Sequence, residues 1–189
     1  MDLYEIKDLL DRSINDQLLY AFYEYGDDGF YCGYVLSYNT DTVQLAHYTK
    51  YGERDGSLII ALENIKSISI KDEYLDTLDY LIKRQKQFHQ LDESESNRLI
   101  PTSEGLKNQL ELYQNDRSVI LNLKISDEGY IGFVDEVRNS CFIFTEIGNL
   151  GHPIVTNLYR ISDVSTMRVN DKAGRKALFL YNKNKKDGL

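Results

Sequence analysis

The feature of this sequence that most constrains its fold is an internal repeat with an offset of 99 residues. Glycine, turn and apolar positions of residues 17–72 stay in register with those of residues 116–171 without a gap. Gly33 falls on Gly132, Gly52 falls on Gly151, and apolar positions fall on apolar positions. Few aligned pairs are identical, so the evidence lies in the shared pattern. The repeat predicts two copies of one folding unit.

Each copy has the pattern of a short helix followed by five short strands. Apolar residues at helical spacing predict the first helix over 2–12, and its counterpart falls on 102–113. Alternating patterns and turn residues predict strands over 18–25, 30–38, 42–48, 58–62 and 65–70. A polar loop is predicted over 52–56, and a single turn is predicted at Glu63-Asn64 between the fourth and fifth strands.

The remaining segments connect or follow the two copies. Residues 73–92 carry an apolar stripe interleaved with charges, which predicts an amphipathic helix of about five turns. This helix either packs on one or both copies or binds a partner. Residues 92–97 are predicted to be a polar linker, and Pro101-Thr-Ser-Glu supplies capping residues for the next helix. The predicted domains are 1–72, a connecting segment 73–99, 100–171, and a basic C-terminal segment 172–189.

The expected fold class is mainly β with α (α+β), built from two tandem five-stranded small barrels, each preceded by a short helix. The pattern is carried by three motifs in each copy: Gly33-x-Val35, Val43-x-Leu45 and Leu62-x-x-Ile65-x-x-Ile68, then Gly132-x-Val134, Phe142-x-Phe144 and Ile161-x-x-Val164-x-x-Met167. It resembles the Sm-like (LSm) superfamily of SH3-type barrels over about three-quarters of the chain. The resemblance implies a sheet that bends at the glycine and closes into a barrel.

The resemblance also implies a set of partners. Many members of the family assemble into rings through the edges of strands four and five, and they bind single-stranded RNA in the pore. This chain departs from the family at the RNA contacts, because Asn39 or Arg138 stands in place of the family's Asp. Val43 or Phe142 stands in place of its base-contacting Asn, and no Arg-Gly pair follows the fourth strand in either copy.

A second mode of RNA or partner contact uses the loops after the second strands. Tyr38 and Asn39 lie in one loop, and Arg138 and Asn139 lie in the other. Tyrosine can stack on a base, and asparagine or arginine can read its edge. The alternative is ordinary hairpin-turn chemistry at Asn39 and Asn139.

The charge of the chain is acidic, with 22 Lys+Arg against 30 Asp+Glu and a formal net charge of −8. The first 99 residues carry 10 Lys+Arg against 19 Asp+Glu, so the acidity lies in the first copy. Nonspecific nucleic-acid binding needs clustered cations, which lowers the expectation of RNA binding. The cations gather near the C-terminus, where Lys183, Lys185 and Lys186 are candidate contacts for RNA or a partner.

No enzyme signature is found. The three histidines, His47, His89 and His152, lack metal-ligand spacing, and Cys32 and Cys141 form no CxxC pair. We therefore predict no catalytic residue, metal, cofactor or small-molecule substrate. A weaker alternative is an enzyme that uses Cys32 or a pair of adjacent acids, Asp27-Asp28 or Asp127-Glu128.

The predicted function is a non-enzymatic interaction or assembly module, with a protein partner or self-association as its mode of binding. The alternative is divergent single-stranded RNA binding. No signal peptide and no uncharged run long enough to span a membrane are recognised, so we expect a cytoplasmic protein without a membrane partner.

Overall fold

The structure is a computed structural model that describes residues 3–93 and 105–188, with the side chains of 90–93 left out. The chain divides into two compact units, residues 1–85 and 86–189. Each unit is built around one five-stranded antiparallel sheet. The expectation of an α+β fold is therefore confirmed.

The first unit follows the predicted order of a helix and five strands, with one further helix. Its elements are α1 (Leu3–Asp16), β1 (Leu19–Glu24), β2 (Tyr31–Tyr38), β3 (Thr42–Tyr48), β4 (Arg54–Ala61), a 3-10 turn (Leu62–Asn64), β5 (Ile65–Ser69) and α2 (Glu73–Lys83). The strands are arranged in the order β4-β3-β2-β1-β5. Consecutive strands pair as hairpins from β1 to β4, and the 3-10 turn carries the chain to the opposite edge.

The second unit has the same order of elements after its first helix. Its elements are α3 (Gln85–Glu93, which begins at the unit boundary), α4 (Leu106–Leu112), β6 (Leu121–Ile125), β7 (Glu128–Val137), β8 (Cys141–Ile147), β9 (Pro153–Arg160), a 3-10 turn (Ile161–Asp163), β10 (Val164–Val169) and α5 (Lys172–Asp187). The strand order is β10-β6-β7-β8-β9, which matches the first sheet position by position.

The inner face of each sheet carries the main core, and a helix completes it. In the first unit, Phe22, Val43 and Leu45 of the sheet are fully buried with Leu10 of α1. The second unit buries Leu121, Leu123, Phe142 and Phe144 with Leu110 of α4. Burying such a side chain contributes about 1.5–3 kcal/mol, so the alternation of apolar residues along the strands determines which face is inward.

A second apolar layer covers the outer face of each sheet. Leu75 and Leu78 of α2 pack on Leu19, Ala21 and Cys32. In the second unit, Ala177 and Leu178 of α5 pack in the same way on Ile120, Phe133 and Ile147. The repeat therefore includes a helix after the fifth strand, since residues 73 and 172 are also separated by 99 positions.

Both of these outer helices begin at an aspartate. The Asp72 carboxylate accepts a hydrogen bond of 2.7 Å from the backbone N–H of Leu75, and Asp171 accepts one of 2.8 Å from Gly174. Such N-caps stabilise a helix by about 1 kcal/mol. Within the basic C-terminal segment, α5 (Lys172–Asp187) is thus the counterpart of the helix after the first sheet.

The prediction of closed barrels is wrong. β4 and β5 lie at opposite edges of one sheet, β9 and β10 lie at opposite edges of the other, and no ladder joins either pair among the described residues. The inner core is completed by a helix in place of edge-to-edge hydrogen bonds, because α1 contributes Ile6 and Leu10 to it.

Three predicted boundaries also differ. The single helix predicted over 73–92 is two helices, α2 and α3, separated at Arg84, whose φ of −121° leaves the helical region. The first helix extends to Asp16, and the residue after it, Gln17, has a φ of 51°. The fourth strand begins at Arg54 and not at Leu58, because polar residues are accommodated on an exposed edge. The capping segment 101–104 and most of the predicted linker lie outside the described residues.

Candidate functional site

Tyr38 is held against the first helix of its own unit. Its hydroxyl donates a hydrogen bond to the Asp11 carboxylate, and Lys7 Nζ lies 3.0 Å from the other carboxylate oxygen. The bond from Tyr38, followed by that from Lys7, lowers the pKa of Asp11, and the same bond raises the pKa of Tyr38. The ring packs against the inner core. The tyrosine predicted to stack on a base is therefore engaged in joining β2 to α1.

Asn39 forms the turn between β2 and β3. Its side-chain oxygen accepts hydrogen bonds of 2.8 Å from the backbone N–H groups of both Asp41 and Thr42. Its backbone N–H donates to the carbonyl of Thr42 at 2.9 Å. This is the geometry of an Asx turn, which stabilises the hairpin. The side-chain amide nitrogen is the part of Asn39 that these bonds leave for a ligand.

Arg138 and Asn139 occupy the equivalent turn of the second unit, and both are exposed. The Arg138 guanidinium donates to both carboxylate oxygens of Glu136, at 2.8 and 3.3 Å. This pairing lowers the pKa of Glu136 and raises the pKa of Arg138. An incoming phosphate or base would have to compete with Glu136 for the guanidinium.

Lys183, Lys185 and Lys186 lie in the last turns of α5. Lys185 and Lys186 are exposed, while Lys183 is half-buried with its Nζ 3.8 Å from Asp187. Cations at a helix C-terminus also interact favourably with the helix dipole. The structure places these lysines on a helix of the second unit and the two predicted loops at hairpin ends of different units.

The loops before the edge strands β4 and β9 are anchored by the same contact in both units. The Gln85 side-chain amide donates to the Tyr51 carbonyl at 2.8 Å, and Asn184 donates to the Leu150 carbonyl at 2.9 Å. Each pair is displaced by 99 positions from the other. Sequence analysis missed these amides, although the repeat offset aligns them.

A glycine lets each of these loops approach its helix. A side chain at Gly52 would lie 2.9 Å from the backbone nitrogen of Ile82, and one at Gly151 would lie 2.6 Å from the backbone nitrogen of Tyr181. Both glycines have φ values of +74° and +81°, which other residues rarely adopt. The anchored loops therefore fix where β4 and β9 begin.

The strand β9 is an exposed, apolar sheet edge. Seven of its eight residues are exposed, and Ile154, Val155 and Leu158 are exposed by 68%, 40% and 59%. It pairs with β8 along one side, and the other side is the edge of the sheet. Edge strands offer unpaired backbone N–H and C=O groups to another chain.

The equivalent edge β4 is blocked in several ways. Asp55 and Gly56 replace the isoleucine and valine of β9, and Gly56 has a φ of +74°, which interrupts the regular strand. The Arg54 side chain donates a hydrogen bond of 2.9 Å to the Gly56 carbonyl. Charges and irregular backbone are the devices that keep edges from pairing. Both fourth strands have a register shift near their start, and β9 is the one that exposes more apolar side chains, three against Ile59 alone on β4.

Tyr159 fixes the inward face of β9. Its hydroxyl donates to the Glu146 carboxylate on β8, and Asn157 Nδ2 donates to the same group at 3.1 Å. Its ring packs on Tyr130, with centroids 5.4 Å apart. The Tyr130 hydroxyl donates to Glu128 at 2.5 Å, which raises the pKa of Tyr130 to about 12. These contacts hold β9 against β8, while the outer edge of β9 stays accessible.

The groups that could carry other chemistry are dispersed. Burial raises the pKa of the Cys32 thiol to about 12, which disfavours its nucleophilic thiolate. His47 Nδ1 on β3 lies 3.5 Å from a carboxylate oxygen of Asp55 on β4. Within residues 3–93 and 105–188, no three His, Cys, Asp or Glu side chains are arranged to hold a metal ion. None of the helices in the described part of the chain is long and apolar enough to cross a membrane.

Comparison with known proteins yields no relative for this chain: no family model matches it, and neither a curated protein nor a solved structure does. The geometry of the two units therefore carries the functional argument.

Proposed function

We propose that this protein is a non-enzymatic assembly module that self-associates by adding a strand of a second copy to the open edge of β9. The observation that carries the proposal is that three apolar side chains, Ile154, Val155 and Leu158, are exposed on an edge strand. Strand addition of this kind gains affinity from backbone hydrogen bonds and specificity from alternate side chains.

A second copy of the chain is the favoured binding partner because each copy has edge strands of its own that can pair with β9. The first sheet ends in β4 and β5, and the second ends in β9 and β10. In the Sm-like family that the sequence resembles, subunits join through the edges of their fourth and fifth strands. β9 is a fourth strand and β5 and β10 are fifth strands, so the resemblance supports the same pairing here.

The test is sedimentation velocity of the full chain over a wide concentration range. Wild-type protein should self-associate, and Leu158→Lys should weaken association by about a hundredfold, since it removes an apolar contact worth about 2–3 kcal/mol. Leu36→Lys is the matched control, because Leu36 is exposed on the central strand β2. A chain that stays monomeric at every concentration would contradict the proposal.

RNA binding is the second candidate, and the exposed Lys185 and Lys186 of α5 favour it. Fluorescence anisotropy with random single-stranded RNA at two salt concentrations separates the two functions. RNA binding should fall steeply with salt and should weaken when Lys183, Lys185 and Lys186 are neutralised. Strand addition should instead tolerate salt.

We further propose a cytoplasmic location. Cys32 and Cys141 are both free thiols, and Cys32 is buried. Unpaired cysteines suit a reducing compartment.

A further inference from the structure

A cluster of three aromatic rings lies at one end of the outer layer of the first unit. Phe30 packs on Tyr23 with ring centroids 5.2 Å apart, and on Tyr74 edge-on with centroids 5.4 Å apart. Tyr23 and Tyr74 also contact the apolar layer between the sheet and α2. We call Tyr23, Phe30 and Tyr74 the aromatic patch.

Phe30 opens the aromatic patch to solvent, while Tyr23 and Tyr74 are half-buried. Phe30 is 39% exposed although it is fully apolar. Phe30 lies directly before β2 and Tyr74 lies in the first turn of α2, so neither stands at a chain terminus. The second unit has Asn122, Gly129 and Ala173 at the three equivalent positions. The patch is therefore a property of the first unit and is not needed to build the repeated fold.

The rim of the aromatic patch is acidic. Asp27 and Asp28 lie in the turn just before Phe30, and both are exposed. Asp72 and Glu73 precede Tyr74, and the pKa of the Tyr74 hydroxyl is raised chiefly by burial and also by the nearby Asp72 carboxylate. The first 99 residues hold 19 Asp+Glu against 10 Lys+Arg, so the long-range field has the same sign as the rim.

Aromatic faces beside carboxylates form a binding environment for a cation. A guanidinium can lie over a ring while its N–H groups donate to nearby carboxylates, and arginine makes such contacts more often than lysine. The same carboxylates repel a phosphate backbone, which opposes base stacking on these rings. We propose that the aromatic patch binds an arginine-bearing basic segment of a partner protein. The aromatic patch belongs to the first unit and β9 belongs to the second, so either proposal can fail without the other.

The test is fluorescence anisotropy of the full chain with a labelled peptide of alternating arginine and glycine. The control peptide has citrulline, which is neutral and of the same shape, in place of each arginine. Wild-type protein should bind the arginine peptide and not the citrulline peptide. Phe30→Leu keeps an apolar side chain but removes the ring face, and it should weaken binding about fivefold. Asp28→Asn should weaken binding about twofold.

Tyr4→Leu is the matched control variant, because Tyr4 is 90% exposed on α1 and should leave binding unchanged. Sedimentation of Phe30→Leu should match the wild type, which separates this surface from assembly. The proposal is overturned if wild type does not bind the arginine peptide, if citrulline binds equally, or if Phe30→Leu binds like the wild type. Binding of single-stranded RNA that depends on Phe30 would also overturn it.

Discussion

Replacing Gly132 by alanine tests the close approach of β7 and β8 in the second sheet. An added Cβ would lie 2.9 Å from both Phe144 Cε1 and the carbonyl carbon of Thr145, and closer still to the Thr145 oxygen. Real carbon contacts are longer, so β7 and β8 must separate by more than about 0.5 Å. Separation also strains the hydrogen bonds on either side of Gly132, and we expect Gly132→Ala to cost about 3 kcal/mol.

Urea denaturation followed by far-ultraviolet circular dichroism measures this cost. A loss of about 3 kcal/mol should lower the urea midpoint of the second unit by about 1–3 M. Gly129→Ala is the matched control in the same strand, since a Cβ there meets nothing within 4 Å. Removing that glycine should leave stability unchanged or raise it by about 0.5 kcal/mol. Equal midpoints for Gly132→Ala and Gly129→Ala would refute the reasoning.

Three further predictions concern contacts within the units. Asn184→Ala should lower the unfolding free energy by about 1–3 kcal/mol, because the Leu150 carbonyl loses the buried amide that anchors the loop before β9. Urea denaturation measures this loss of stability. Cys32 should react with iodoacetamide at pH 8 at least about a hundredfold more slowly in the native chain than in urea, because burial raises its pKa to about 12 and so removes nearly all of its thiolate. Peptide mapping by mass spectrometry measures the two rates. Asp11→Asn should lower the urea midpoint at neutral pH and lose its effect in acid. The pKa of Asp11 is lowered on folding, so its contribution is present above its unfolded pKa of about 4 and disappears as the pH falls through the folded value. Tyr38→Phe should bring the folded pKa of Asp11 closer to its unfolded value, since the bond from the Tyr38 hydroxyl is the largest cause of the lowered pKa. The pH range over which Asp11 loses its stabilising contribution should therefore become narrower.

The elements that sequence predicted best are those whose pattern is local. The third strand of the first unit was predicted over 42–48 and is Thr42–Tyr48, because Val43 and Leu45 alternate with polar residues on a strand between two tight turns. The 3-10 turn after Ala61 was likewise marked by Glu63-Asn64. Apolar alternation and turn residues are both readable within a short window.

The features that sequence did not reveal depend on distant contacts. The break at Arg84 coincides with the bond from Gln85 to the Tyr51 carbonyl, which lies 34 residues earlier. The open edges follow from strand order, which a list of strands does not specify. In the sequence β9 is an ordinary apolar strand, and only its place at a sheet edge gives its exposed apolar residues a candidate function.

Amide hydrogen exchange of the full chain at low and high protein concentration tests strand addition at β9 most directly. The account predicts that the backbone amides of β9 after Pro153, residues 154–160, become more protected as concentration rises, while those of the central strand β7 keep the same exchange rates. Exchange at β9 that does not depend on concentration would contradict it.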